Sequence, residues 1–268
     1  MPAIYRIGGL MNYFEKIEQN DKDLTWNIPE QKQGIVNVIG GNSQSFRTEV
    51  KIAEFLSQKY PIKEVKAVLP DSLKSTLPVL DNLVFLGSTE SGSFANGEEL
   101  KNVIDSGNFS LILGDFSKNR ATEQAVTSAC ENAAKPLLIT RDAVDLIANG
   151  NPEKILANEK VIFFASVPQL QKLLRAVYYP KMLLMSMSLV QVAEVLHKFT
   201  LSYPVSIITL NNGEILIAKD GKVVAVPLEK SGYSPIMVWS GELAAKIAAL
   251  SLYNPDNFMN STISAIFS

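Results

Sequence analysis

The sequence has very few of the residues that build nucleophilic triads, metal sites or disulfides. It contains one histidine, His197, and one cysteine, Cys130, in 268 residues. A Ser-His-Asp triad and a histidine-rich metal site are therefore nearly excluded, and no metal site is predicted. A lone cysteine cannot form an internal disulfide, which is typical of a reducing compartment. Both residues fall in helical patterns beside apolar positions, where structural roles are expected.

An excess of charge of one sign and long apolar runs are also missing. The formal net charge is −2, so the composition gives no reason to expect a nucleic acid or an anionic membrane as a partner. The apolar runs are too short to cross a bilayer, and residues 1–6 begin no apolar stretch of the signal-peptide type. Together with the single cysteine, these absences predict a cytoplasmic protein.

Short apolar runs from residue 34 onward predict the strands of one sheet. Six of them have the length and composition of strands buried on both faces: 35–39, 67–69, 83–86, 111–113, 137–139 and 161–164. Helical patterns lie between several of these runs, over 48–58, 121–134 and 169–177. Alternating strands and helices predict a parallel sheet with helices on both faces.

The last third of the chain has a different pattern. A strand over 205–210 is followed by two runs, 215–218 and 222–226, that flank the hairpin signal Asp220-Gly221. Antiparallel strands are therefore expected to complete the mostly parallel sheet. No linker, repeat or charge block divides the chain. The prediction is one α/β domain over residues 1–268, with residues 1–30 as an N-terminal extension packed on it.

The segment that follows Trp239 carries the clearest chemical signal. Ser240 and Gly241 lead into an Ala/Leu-rich helix, and Glu242 lies in its first turn. The free N–H groups and the dipole of a helix start attract anions. A carboxylate at such a start would take a proton from a hydroxyl group held there. An ordinary helix start with a dipole-favoured acid fits the segment equally well.

The order of elements resembles the ribokinase-like fold and, within it, the ADP-dependent NAD(P)H-hydrate dehydratases. Lys32-Gln33-Gly34, the strand that follows, and Gly40-Gly41-Asn42-Ser43 are similar to the first strand and Gly-Gly-Ser turn of that family. Residues 136–145, 164–169, 210–217 and 239–246 match later family segments in order and spacing. Gly114-Asp115 stands where the family has a glycine-rich loop. The resemblance therefore implies a three-layer ribokinase-like fold.

The resemblance also implies an activity. Such enzymes use ADP or ATP with Mg²⁺ to phosphorylate the hydroxyl of hydrated NADH or NADPH, and loss of phosphate restores the nicotinamide, which is a lyase reaction. Glu242 would be the catalytic base. Residues that would bind the nucleotide and its phosphates are Gly241, Ser240, Asn211 and Gly114. Residues that would bind the substrate are Gly41, Asn42, Asp142 and Gln169. Motif order places them at one edge of the sheet.

Departures from the family pattern predict weak or absent phosphoryl transfer. Trp239 stands where small residues are expected, and Asn211 and Gln169 replace charged residues. Glu242 is one methylene longer than the Asp of the family, and a misplacement of roughly 1 Å costs on the order of 100-fold in rate.

Several alternatives stay open. Gly41 and Asn42 would also suit a plain strand-to-helix turn, Asp142 a helix N-cap, and Asn211 a simple turn. The chain would also fit a small-molecule kinase of the same fold that acts on a vitamin precursor or a sugar. A third reading is a non-catalytic homologue that binds a nucleotide or another protein. A homo-oligomeric assembly is compatible with each of these alternatives.

Overall fold

The computed structural model of the chain describes residues 12–17, 28–78 and 81–268. Its strands are β1 (Phe14–Lys16), β2 (Gln33–Gly40), β3 (Ile62–Pro70), β4 (Leu83–Leu86), β5 (Phe109–Gly114), β6 (Leu137–Thr140), β7 (Val161–Phe164), β8 (Ser206–Asn211), β9 (Glu214–Lys219) and β10 (Lys222–Pro227). Its α-helices are α1 (Arg47–Lys59), α2 (Gly97–Ser106), α3 (Arg120–Glu131), α4 (Asp142–Asn149), α5 (Glu153–Leu156), α6 (Val167–Ala176), α7 (Leu189–Ser202), α8 (Glu242–Tyr253) and α9 (Phe258–Phe267).

All the described strands join one sheet in the order β1-β10-β9-β8-β7-β6-β5-β2-β3-β4. The strands from β8 to β4 along this order run parallel, whereas β9 pairs antiparallel with both β8 and β10. The prediction of a mostly parallel sheet with late antiparallel strands is confirmed. The chain leaves β2 toward β3 and later returns on its other side to form β5, so the order reverses between β2 and β5.

Helices cover both faces of the sheet because its central strands are apolar on both sides. Side chains alternate along β5: Phe109, Leu111 and Leu113 pack in the core beneath α1, α8 and α9, whereas Ile112 packs beneath α2, α3, α4, α6 and α7. This alternation is the period of a pleated strand. The result is three layers with a separate apolar core on each side of the sheet.

The N-terminal extension is described in part. Strand β1 adds to the edge of the sheet in parallel with β10, with Phe14 opposite Val223 and Lys16 opposite Ala225. Residues 1–11 and 18–27 lie outside the described residues, so packing of the whole 1–30 segment stays a prediction. Within the described ranges, no helix is long and apolar enough to cross a bilayer.

Candidate functional site

The turn after β2 connects directly to the end of β5. Gly41 has a φ of +95°, a backbone conformation that favours glycine, and its N–H donates to the Gly114 carbonyl at 2.8 Å. The Asn42 amide donates to the Asp115 carbonyl at 2.6 Å. Its oxygen also accepts from the N–H of Gln44 at 2.8 Å. Three predicted site residues, Gly41, Asn42 and Gly114, therefore meet at the carboxyl edge of the sheet.

Asp142 lies beside them at the start of α4. Its Oδ1 accepts the N–H of Asp115 at 2.8 Å, and burial raises the pKa of the Asp142 carboxyl. Gly114 has a φ of +108°, and a Cβ built on it would lie 2.0 Å from that same Oδ1. Glycine is therefore required at position 114 both for its backbone conformation and for the close approach of the carboxylate.

Two non-glycine residues in this region have left-handed backbones. Asp115 and Arg141, which follow the adjacent strands β5 and β6, each have a φ of 55°. Their side chains form a fork, with Arg141 Nη2 3.1 Å from Asp115 Oδ1 and Nη1 3.3 Å from Oδ2. Such conformations cost free energy and cluster at functional sites. Neither residue was a sequence-predicted site residue.

A buried glutamate in α1 lies at the base of the same region. Glu49 is fully buried, and neither carboxylate oxygen has a hydrogen-bond partner among the described residues. A Cβ built on Gly40 would lie 2.5 Å from Glu49 Oε1. Burial, together with the Asp115 carboxylate, raises the Glu49 pKa from 4.5 to about 8. The Glu49 carboxyl is therefore mostly protonated at neutral pH.

Sequence reasoning missed Glu49, although a signal was present. The buried positions of α1 are Glu49, Ile52, Ala53 and Leu56, which have the i, i+3, i+4, i+7 spacing of one helix face. A charged residue on the apolar stripe of a helix is unusual, because a buried carboxylate pays a large desolvation cost. That exception to the pattern would have identified Glu49.

Gln169 connects β6, β7 and α4. Its amide donates to the Arg141 carbonyl and to Asp145 Oδ2, both at 2.7 Å. Its oxygen accepts the N–H of Ser166 at 3.0 Å, which is half of a capping box at the start of α6. Asp145 also forms an ion pair with Lys172. The Gln169 side chain is therefore held by protein partners.

Trp239 lies at the ends of β6 and β7. Its ring packs on Phe164 with the ring centroids 5.2 Å apart and is partly exposed. We call the adjoining space of about 500 Å³ the carboxyl-edge cleft. Its lining residues are Arg141, Asp142, Asp145, Ser166, Pro168, Gln169, Lys172 and Trp239. A second space, of about 620 Å³, shares Asp142, Asp145 and Lys172 with the cleft and extends toward the start of α3.

The start of α8 lies over the end of β5. Gly241 has a φ of +99°, and a Cβ built on it would lie 3.1 Å from Leu113 Cδ2. Ser240 Oγ accepts the N–H of Glu242 at 3.3 Å. The Glu242 carboxylate lies 4.0 Å from Lys246 Nζ. Burial, followed by the charge of Glu242, raises the pKa of Tyr233. The Glu242 side chain thus faces Lys246 and the Tyr233 region.

Asn211 lies at the end of β8, three strands away from Gly114 in the sheet order. It is 6% exposed, and its Nδ2 has no hydrogen-bond partner among the described residues. The turn after it borders a space of about 460 Å³ whose lining includes Asn212, Gly213, Lys230 and Tyr233. In that lining Lys16 Nζ lies 2.6 Å from Glu214 Oε1. The structure therefore separates Asn211 from the Asp142 group.

The cations of the carboxyl-edge cleft are held by carboxylates of the protein. Arg141 and Lys172, the two cations of the carboxyl-edge cleft, already pair with Asp115 and Asp145. Asn211 offers a donor but no charge. Across residues 12–17, 28–78 and 81–268, no group of three or more His, Cys, Asp or Glu side chains could hold a metal ion. Within the carboxyl-edge cleft, both cations are therefore already paired with carboxylates.

Comparison with solved structures establishes the fold. A ribokinase-like superfamily protein of Enterococcus faecalis V583 aligns with a TM-score of 0.62 and 16% identity over 96% of this chain and 86% of that one. ADP/ATP-dependent NAD(P)H-hydrate dehydratase of Bacillus subtilis gives 0.55 and 12% over 87% and 79%. Hydroxyethylthiazole kinase of Pyrococcus horikoshii OT3 gives 0.51 and 12% over 91% and 79%. No family model and no curated protein matches the sequence. The predicted ribokinase-like fold is confirmed.

Proposed function

We propose that this chain is a divergent homologue of the NAD(P)H-hydrate dehydratase type that binds a planar small molecule in its carboxyl-edge cleft and transfers phosphoryl groups slowly or not at all. The observation that carries the proposal is the position of Trp239. One side of the indole is supported by Phe164, and the ring lines the cleft beside Arg141 and Asp142. An indole held in this way offers a stacking surface to a planar ring.

The ion pairs of the cleft support slow phosphoryl transfer. A phosphate that entered the cleft would have to displace the Asp115 carboxylate from Arg141 or the Asp145 carboxylate from Lys172. Each charge-assisted hydrogen bond that is lost in this way costs roughly 1.5–3 kcal/mol. Gln169 stands where the family has a charged residue, and protein partners hold it.

The orientation of Glu242 supports the same conclusion. A general base must come within about 2.6–3.2 Å of the proton that it removes. The Glu242 carboxylate lies beside Lys246, which is 4% exposed, rather than beside the residues of the carboxyl-edge cleft. A carboxylate that interacts with the helix dipole and with a buried lysine stabilises the fold and is not positioned as a base.

Binding measurements test the proposal directly. We expect nicotinamide, a neutral planar ring, to raise the melting temperature more than ADP, ATP or AMP with Mg²⁺, because their phosphates would have to displace the paired carboxylates. Trp239→Ala should abolish the shift, whereas Trp239→Phe should retain part of it. Equal shifts in wild type and Trp239→Ala would contradict the proposal. Phe55→Ala is a matched control, since Phe55 is a partly buried aromatic residue of α1 outside the cleft.

A second candidate is a working nucleotide-dependent enzyme, either the hydrate dehydratase or a small-molecule kinase, with Glu242 as the base. The observation that favours it is the half-exposed carboxylate in the first turn of α8, after a glycine with a positive φ. The test is repair of hydrated NADH with ADP or ATP and Mg²⁺. Robust turnover that collapses in Glu242→Ala but not in the exposed control Glu54→Ala would establish this candidate and reject ours. We expect no turnover above background.

A further inference from the structure

A cavity at the amino edge of the sheet lies opposite the carboxyl-edge cleft. It has a volume of about 400 Å³ and lies between the first residues of β5 and β8 and the connection from α8 to α9. Pockets that bind small ligands have volumes of roughly 300–1,000 Å³ and combine apolar walls with a few polar groups. None of the residues predicted from the sequence to form a site lines this cavity.

The inner walls of the cavity are apolar and rigidly placed. Phe109 begins β5, Ile162 lies in β7 and Phe258 begins α9. All three side chains are at least nine-tenths buried, so strands and helices fix their positions. Such walls favour a ligand that has an apolar body, because its transfer from water is favourable.

One buried hydroxyl in the cavity has no partner. Ser251, near the end of α8, is 6% exposed and lines the cavity. Its Oγ makes no hydrogen bond to any described residue. A buried hydroxyl usually has a partner, because leaving it unsatisfied is unfavourable. The Ser251 hydroxyl is therefore available to a ligand inside the cavity.

Charges of both signs stand around the cavity. Lys219 Nζ lies 5.7 Å from the Phe258 ring centroid, and Asp256 lies on the α8–α9 connection. The start of α9 adds positive potential, since its N-cap residue makes no side-chain capping bond. Of the other two charged lining residues, Lys160 already donates to the Ala134 carbonyl at 2.8 Å, and Glu159, like Asp256, is exposed.

We propose that this cavity binds a small zwitterion with an apolar side chain, the chemistry of an apolar α-amino acid. The carboxylate would bind Lys219 and the Ser251 hydroxyl, and the ammonium group would bind Asp256. The apolar side chain would lie against Phe109, Ile162 and Phe258. The proposal uses residues that are separate from the carboxyl-edge cleft and does not depend on the function proposed for it.

Titration calorimetry on the full chain tests the proposal with three matched probes. These are L-leucine, 4-methylpentanoate, which lacks the ammonium group, and 3-methylbutylamine, which lacks the carboxylate. We expect saturable binding of L-leucine and binding weaker by about tenfold or more for each of the other two. No heat and no melting-temperature shift with L-leucine would overturn the proposal. Equal binding of 4-methylpentanoate would overturn it as well.

Variants locate the binding at this cavity. Ser251→Ala and Lys219→Met should each weaken L-leucine binding by about tenfold. Lys222→Met is the matched control, because Lys222 pairs with Lys219 in the β9–β10 ladder but does not line the cavity. Circular dichroism and the ligand-free melting temperature establish that each variant is folded. Unchanged binding in folded Ser251→Ala and Lys219→Met would overturn the proposal.

Discussion

At the residue scale, burial of Glu49 makes the stability of the fold depend on pH. The groups that face it electrostatically are Asp115, Asp142 and Arg141. The pKa of the Glu49 carboxyl is 4.5 in the unfolded chain and about 8 in the folded protein. Between these pH values the folded protein keeps a proton that the unfolded chain has lost. The contribution of Glu49 to stability is therefore fully present below pH 4.5 and is lost as the pH rises through about 8.

Replacing Glu49 with Gln should flatten the pH dependence of stability. We expect wild type to lose on the order of 4 kcal/mol of unfolding free energy from this group between pH 4.5 and 8, and Glu49→Gln to lose much less. Urea denaturation at pH 5, 7 and 9 measures both curves. Glu54→Gln, an exposed change in the same helix, is the control. Parallel curves for wild type and Glu49→Gln would show that Glu49 ionises normally.

Gly114 provides a second test at the residue scale. Alanine at position 114 would combine a positive φ with a Cβ 2.0 Å from Asp142 Oδ1. Gly232→Ala is the matched control, because Gly232 has a φ of +74° and open space around its Cβ position. Gly232→Ala should cost about 1 kcal/mol of unfolding free energy from backbone strain. Gly114→Ala should cost roughly 1–3 kcal/mol more from the clash. Equal losses in urea denaturation would show that Asp142 moves freely.

At the element scale, the sequence predicts the strands better than the helices. Central strands such as β5 and β7 are buried on both faces, so continuous apolar runs reveal them. Helix α9 has no such signal. Its buried residues include Ser261, Thr262 and Ser264, so no apolar stripe marks it in the sequence. Burial of these small polar residues depends on packing against α8, which a local pattern does not contain.

The sequence likewise predicts one part of the candidate site and not the rest. Parallel strands bring their carboxyl ends to one edge, so the sequence places Gly41, Asn42 and Asp142 together. The left-handed backbones of Asp115 and Arg141 depend on how β5 and β6 end beside each other. The orientation of Glu242 toward Lys246 likewise arises from the packing of α8, and a sequence motif does not specify it.

The ion pair that joins the ends of β5 and β6 is expected to limit anion binding at this edge of the sheet. Asp115→Asn removes the carboxylate that pairs with Arg141 and leaves the guanidinium available to an anion. We expect inorganic phosphate to bind this variant about tenfold more tightly than wild type at low salt. Calorimetric titration with phosphate measures the change, and Asp105→Asn, at the Lys101 pair in α2, is the control. If phosphate binds wild type and Asp115→Asn equally, the ion pair does not limit anion binding.

At the scale of the whole molecule, the sheet separates the two proposed ligand sites. The carboxyl-edge cleft lies after β6 and β7, whereas the second cavity lies before β5 and β8. No residue lines both. The strands of one sheet, with a packed core on each face, run between the two edges.

The two proposed ligands should therefore stabilise the protein independently. Sites that share no partner and lie far apart add within about 0.3–0.5 kcal/mol. We expect the stabilisation by nicotinamide and L-leucine together, from urea denaturation with each ligand and with both, to equal the sum of the separate effects. Trp239→Ala should remove only the nicotinamide contribution and Lys219→Met only the L-leucine contribution. A coupling above about 1 kcal/mol would mean that the sheet transmits a change between its two edges. Loss of both contributions in either variant would mean that the ligands share one site.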